Sequence, residues 1–297
     1  MISVVVPAYN EASALRRLLP ELLRDADGLF EVCVVANGCT DGSAAAARAA
    51  AAGGAPVRVL ETPVANKHRA MRLADEAAGP HAFPRFYVDA DVEIGSRDLL
   101  ALAAALDEGG LLAVAPGRRV PVGQGPWTVR WFYDVWERLP GVRAGLFGRG
   151  VIGVSAAGYA RLAALPELMG DDLAASLVFA EHERAVVPAA TSVVHPPRTL
   201  RDLIRRRTRV ATVTAQAGAR PELAAAGAAA RTGGGDLADL LRRHPLLAPK
   251  IGWFALVALV ARRGARRAVA AQDFTTWLRD ESSRAEPVRA GGEAGTR

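Results

Sequence analysis

The chain opens on a short β-branched run, Ile2 to Val6, interrupted only by Ser3, and then changes period. From Glu11 to Arg24, Leu15, Leu18, Leu19, Leu22 and Leu23 recur three and four apart, which marks one face of a helix. The alternation then repeats. Val32 to Val35 reads as a strand and the Ala-rich stretch after Gly42 as a helix, followed by a strand at Val57 to Leu60. Lys67 to Ala78 is helical in pattern, Phe86 to Val88 extended, and a helix starts at Ser96, with Ser96 as its cap and Asp98 in its first turn. Leu111 to Ala115 is a further strand. Short β-branched runs alternating with helices predict βαβ units, so the expected fold class is α/β: a Rossmann-like, mostly parallel sheet flanked by helices.

From Pro116 to Gly153 the pattern loses this regularity, and Trp127, Trp131, Phe132, Tyr133 and Trp136 gather between Gly- and Pro-rich segments. Their helical spacing favours a core, although tryptophan also stacks on sugar faces. Arg149, between Gly148 and Gly150, is expected in a flexible loop of the same region. Val186 to His195 resumes as a strand and leads into a basic helix, Thr199 to Arg209. The Ala/Gly stretch from Ala224 to Gly235 reads as a linker. Beyond it, Ile251 to Ala261 is apolar but shorter than the ~20 residues of a membrane span. With Lys250, Arg262, Arg263, Arg266 and Arg267 flanking it, the segment suits either a packing helix or a membrane interface. A helical extension is therefore expected over 236–280 and a disordered tail over 281–297.

Charge adds a preference for anionic partners: the net charge is +6 and the pI about 10.0. Nucleotides, acidic lipid surfaces and nucleic acid all meet that description, but no reading motif with interleaved aromatics supports nucleic acid. Two cysteines, Cys33 and Cys39, form neither a disulfide framework nor a zinc pattern, as expected of a cytoplasmic protein. Met1 to Pro7 lacks a basic n-region and reads as a buried strand rather than a signal peptide.

Chemistry-bearing residues follow the predicted strands, at the edge where open α/β sheets bind ligands. Pro7-Ala8-Tyr9-Asn10-Glu11 ends the first strand; Tyr9 can stack on a base and Glu11 can accept from a ribose hydroxyl or base N–H. After the second strand, in Asn37-Gly38-Cys39-Thr40-Asp41-Gly42-Ser43, Asn37 offers a donor and an acceptor to a heterocycle. Asp41 can cap the next helix. After the fourth strand, Asp89-Ala90-Asp91 offers two carboxylates to one divalent cation, Mg²⁺ or Mn²⁺, which would neutralise a diphosphate. Each string alone also suits an ordinary capped turn.

Together and in this order, the three motifs resemble glycosyltransferase family 2, whose catalytic domain has the GT-A fold, over residues 1–210. The resemblance implies a nucleotide-sugar-binding half at 1–115 and an acceptor-binding half at 116–220. It implies donor contacts at Pro7, Tyr9, Glu11, Asn37, Lys67, Asp89 and Ala90, and a metal ligand at Asp91. Asn37 stands where many relatives carry aspartate, and Asn66 where a glycine usually precedes the basic residue. A UDP-sugar is the first expectation, with GDP- and TDP-sugars open. Gly170-Asp171-Asp172-Leu173 resembles the family's acidic pair, which makes Asp172 the expected base and Asp171 its neighbour or substitute; a plain helix cap is the other reading. His195 is a second candidate metal ligand or a structural histidine. The arginines from Arg198 to Arg209 offer cations to the diphosphate. No Gln-x-x-Arg-Trp follows, so no processive polymerase is expected, and no G-x-G-x-x-G follows the first strand, against a dinucleotide enzyme. The family implies transfer with inversion. A retaining enzyme and a sugar-nucleotide binder without turnover are the alternatives.

Overall fold

The computed structural model describes residues 1–25, 28–52, 54, 56–79, 81–108, 110–123, 125–165, 176–219 and 232–271. The acidic pair Asp171 and Asp172, most of the expected linker and the C-terminal tail lie outside the described residues.

The strands β1 (Ile2–Ala8), β2 (Phe30–Asn37), β3 (Val57–Thr62) and β4 (Arg85–Val88) pair in parallel in the order β3-β2-β1-β4. The connecting helices are α1 (Ala12–Leu23), α2 (Ser43–Ala51) and α3 (Lys67–Ala78). The two sheet faces follow from side-chain alternation along each strand. Val4, Val6, Val32 and Val34 meet Leu15, Leu18, Leu19 and Leu22 of α1 and Ala46 and Ala47 of α2. Val5, Cys33 and Val35 face the other way, onto Ala70, Met71 and Ala74 of α3. Burying each such leucine stabilises the fold by roughly 1.5–3 kcal/mol, so registers one residue out of step are strongly disfavoured.

The second half is less regular than the sequence pattern implies. Strands β5 (Val92–Glu93), β6 (Ala113–Arg119), β7 (Val151–Val154) and β8 (Arg184–Val194) extend the sheet in the order β4-β7-β6-β8-β5. Here β4/β7, β6/β7 and β5/β8 are antiparallel, and only β6/β8 is parallel. Helix α4 (Ser96–Glu108) covers this part. Ser96 does not act as the expected side-chain cap: its hydroxyl donates to Arg24 O, and Asp98 accepts from Gly95 N–H instead. Helices α5 (Trp127–Trp136), α6 (Pro140–Ala144) and α7 (Ala156–Ala163) follow.

A separate core joins α5 to three C-terminal helices: α8 (Leu200–Gly218), α9 (Gly234–Arg243) and α10 (Ala248–Ala270). Phe132 stacks on Phe254 at 4.9 Å, so the aromatic cluster is chiefly a core, as its helical spacing implies. Helix α10 is longer than its apolar segment suggested. The helix runs through Arg262 and Arg263, and Pro245–Ala270 is long and apolar enough to cross a membrane by length and composition. The shorter expectation stopped at the first arginine pair; these arginines are exposed and do not interrupt the backbone ladder.

Candidate active site

The strand order places a topological switch at β1: the chain leaves it toward β2 and returns on its other side as β4. Ligands of open α/β sheets bind in the crevice beyond such a point. All three predicted motifs end there.

The first two motifs interlock. Asn10, at a positive φ of 52°, accepts from Thr40 N–H at 2.7 Å, and Glu11 N–H donates to Ser43 Oγ at 2.8 Å. Cys39 Sγ donates to Ala8 O and accepts from Asn10 N–H. Asp41 does more than cap its own helix: it accepts from Ser43 N–H and Ser43 Oγ at the start of α2 and from Ala12 N–H at the start of α1. Partial burial alone would raise its pKa, but these three donors outweigh that and hold it below the usual carboxylate range. Gly38 has φ +62°, and a Cβ there would sit 2.7–2.9 Å from Ala65, so only glycine lets the loop cross that backbone.

Within this frame the expected donor contacts divide. Tyr9 is 36% exposed at the edge. Asn37 is buried, and its side-chain N–H₂ donates to Ala8 O at 2.7 Å. It therefore ties β2 to β1, and only its side-chain carbonyl remains to face a base. Glu11 is buried as well. Pro7 lies inside β1 rather than at its end, paired with Val35, and is tolerated because β4 pairs only with Ser3 to Val5. The Ala90 side chain is in the core, so this residue offers a ligand its backbone alone.

Lys67, at the first turn of α3, reaches Asp89 at 2.8 Å, so two residues expected to act on the nucleotide are paired with each other. Asp89 N–H donates to Gly150 O at 2.8 Å, which fastens the third motif to β7. Gly150 has φ +69°, and a Cβ would lie 2.1 Å from Val92, so the approach requires glycine. In the β5/β8 ladder Val92 faces Val194 and Glu93 faces Val193. Extending that register by one residue brings Asp91 opposite His195. His195 Nε2 lies 2.7 Å from Glu93 Oε1, a partner the sequence reading missed. Among the described residues, no three His, Cys, Asp or Glu side chains gather as a metal-holding group.

Arg149 overturns its expected place in a flexible sugar-binding loop. It is buried and donates to the carbonyls of Gly145, Pro116, Val142 and Arg143, which pins the 142–149 loop to β6. Burial brings its pKa down to about 10. Of the basic helix, Arg206 donates to His195 O at 3.0 Å.

A tyrosine, a lysine and an Asp-x-Asp turn gathered at the switch point of such a sheet fit a transferase of the GT-A type. The profile of glycosyl transferase family 2 matches residues 3–160, and the chain belongs to that family. It is a nucleotide-sugar glycosyltransferase. Its structure is similar to a mannosyltransferase from Pyrobaculum calidifontis in complex with GDP-Man and Mn²⁺, at 21% identity and TM-score 0.62, covering 92% of this chain and 87% of that one. It is also similar to glucosyl-3-phosphoglycerate synthase from Mycobacterium tuberculosis in complex with Mn²⁺, UDP and glucosyl-3-phosphoglycerate, at 22% identity and TM-score 0.53, covering 73% and 80%. At these identities the likeness speaks to fold. No curated protein sequence matches the chain.

Proposed function

We propose that the chain transfers a sugar from a nucleotide diphosphate sugar, a UDP-sugar first, to an acceptor hydroxyl with inversion, in the presence of Mg²⁺ or Mn²⁺. The observation that carries this reading is the juxtaposition at one strand edge of the Lys67–Asp89 pair and the Glu93–His195 pair, on either side of Asp91 in the chain. Carboxylate oxygens with a neutral imidazole suit these cations, and both neighbouring structures were determined with Mn²⁺ beside a nucleotide. Asp91 and Asp89 would hold the cation, with His195 joining if it exchanges Glu93 for it. Bound there, the cation supplies charge neutralisation for the departing diphosphate.

The chain's own residues do the rest. Tyr9 stacks on the base, and the Asn37 carbonyl accepts from a base N–H such as that of uracil or guanine. Lys67 turns from Asp89 to the diphosphate once the donor is bound. Asp172, with Asp171 beside it, takes the acceptor proton, and displacement from the opposite face inverts the anomeric centre. The family's membership includes enzymes of this outcome, which is why inversion is preferred to retention.

Two substitutions test the reading. Asp91→Ala should abolish both transfer and metal-dependent nucleotide binding, and excess chelator should do the same to the unaltered protein. Asp172→Asn should leave donor binding nearly unchanged while transfer falls by roughly 10²–10⁴-fold, with Asp171→Asn less severe. Full activity of Asp91→Ala, or of the Asp172→Asn and Asp171→Asn pair, would overturn it.

A second reading concerns location: a cytoplasmic enzyme in peripheral contact with an anionic membrane through 250–267. It is favoured by the outer side of α10, where Leu256 and Leu259 are 51% and 46% exposed beside Arg262, Arg263, Arg266 and Arg267.

A further inference from the structure

Trp136, at the end of α5, carries two guanidinium groups. Arg118 from β6 lies over its ring at 4.1 Å, and Arg207 from α8 approaches it at 5.9 Å while lying 5.3 Å from the Phe132 ring. Arg149 stands close enough to Arg118 to repel it, and Arg206 acts in the same sense on both Arg118 and Arg207. The partners of Arg118 are the carbonyls of Phe147, Gly148 and Val142 and the indole face. Its Nε is buried without a hydrogen-bond partner. Among the described residues, Arg207 meets the Phe132 and Trp136 rings. Among the described residues, none of Arg118, Arg149 and Arg207 is in an ion pair.

Gathering cations in this way is unfavourable unless an anion offsets them. Among the described residues, no carboxylate pairs with them directly. Glu137 is the carboxylate that Arg118 feels most, beyond ion-pair distance, and burial raises its pKa against the pull of Arg118 and Arg138. Asp134, the other acid on this helix, is taken by Arg138 and Lys250. Burial and mutual repulsion bring Arg118 down to about 10, which still leaves it charged at neutral pH.

The cluster is joined to the transfer site from two sides. The segment 148–150 carries Gly148 against both Arg118 and Trp136 and ends at Gly150 O, which holds Asp89 N–H. Arg206 is bonded to the carbonyl of His195. Both Arg118 and Arg207 keep part of their surface in solvent.

We infer that the acceptor carries an anionic phosphate group, and that Arg118 and Arg207, set against Trp136, bind it. The inference rests on the transferase reading above and names the class of acceptor that site takes. Guanidinium groups suit a phosphate because their planar forks match its oxygens, and the indole fixes their orientation. A free phosphorylated metabolite and a phosphate-bearing lipid present the same chemistry, so the shared group is what is assigned.

The test is calorimetric titration of the full chain with inorganic phosphate, and separately with UDP and GDP in the presence of Mn²⁺. Phosphate should bind the unaltered protein, and Arg207→Gln and Arg118→Gln should each weaken it about tenfold or more, the value of one charge-assisted contact. Arg207→Lys should recover part of the loss. Should Arg118→Gln fail to fold, the Arg207 pair decides alone. The inference is overturned if phosphate does not bind, if Arg207→Gln leaves it unchanged, or if nucleotide affinity falls in step, which would give the cluster to the donor diphosphate. Absence of nucleotide binding alone would sink the donor reading and leave the phosphate result standing. Phosphatidylcholine vesicles with and without phosphatidic acid separate the sources: Arg207-dependent binding of the acidic vesicles, competed by inorganic phosphate, assigns a lipid, and its absence with phosphate binding intact assigns a soluble acceptor.

Discussion

Asp41 shows how much one surface side chain can organise. Its carboxylate accepts from the first turns of α1 and α2 and, through Ser43, fixes Glu11 N–H, so the loops after β1 and β2 both depend on it. Asp41→Ala should destabilise the fold by about 1 kcal/mol at neutral pH, as loss of a cap does. The folded pKa is depressed, so this stabilisation is present above the unfolded value of about 3.9 and is lost as pH falls through the folded value. Urea denaturation of the two proteins should therefore converge toward pH 3; a gap that stays constant with pH would exclude a charge-dependent cap. Sequence reading found Asp41 as the cap of α2 but not of α1, since the link to Ala12 spans 29 residues and no local spacing encodes it.

Elements are held by contacts of the same long range. Arg85 begins β4 at 1% exposure, where the sequence pattern started the strand one residue later with Phe86. The guanidinium bonds Asp75 of α3 at 2.9 Å and Gly79 O at 2.8 Å, and lies over the Phe83 and Tyr159 rings. Tyr87 donates to the same carboxylate at 2.8 Å. Burial raises the Asp75 pKa, against the pull of Tyr87 and Arg85. Asp75→Ala should cost about 3–5 kcal/mol in guanidinium denaturation, because it leaves a buried cation without its partner. A combined Asp75→Leu and Arg85→Met replacement should cost less than Asp75→Ala alone; if it costs as much or more, the network stabilises through more than charge compensation. Strand β5 was equally hidden. At two residues it has no period to read, and its pairing with β8 is what brings Glu93 beside His195.

At the scale of the molecule, the C-terminal helices pack against α5 and α6, and α10 turns two faces to different surroundings. Ile251, Phe254, Val257, Ala261 and Ala265 are buried, whereas Leu246 is 93% exposed at the start of the segment. That division favours a helix lying on a membrane over one crossing it, since a span would strip the first set from its core. Flotation should show binding to vesicles of phosphatidylcholine and phosphatidylglycerol, weakened by salt and by Leu256→Asp with Leu259→Asp. Retention through high salt and alkaline washing would show a true span, and no binding would remove the membrane from the account.

Sequence alone determined the βαβ alternation, the three loop motifs and their order, because hydrophobic period and turn chemistry are local properties of neighbouring residues. From these came the family and the strand edge at which the site forms. Tertiary structure decided which atoms remain for a ligand. It engaged the Asn37 amide with Ala8, set Lys67 on Asp89 and His195 on Glu93, and buried Arg149 among carbonyls. It also brought Arg118 and Arg207, 89 positions apart in sequence, to one indole ring. Each of these rests on packing between distant segments, where burial sets the strength of a charge and the available partner sets its use, and neither quantity is written in the order of the residues.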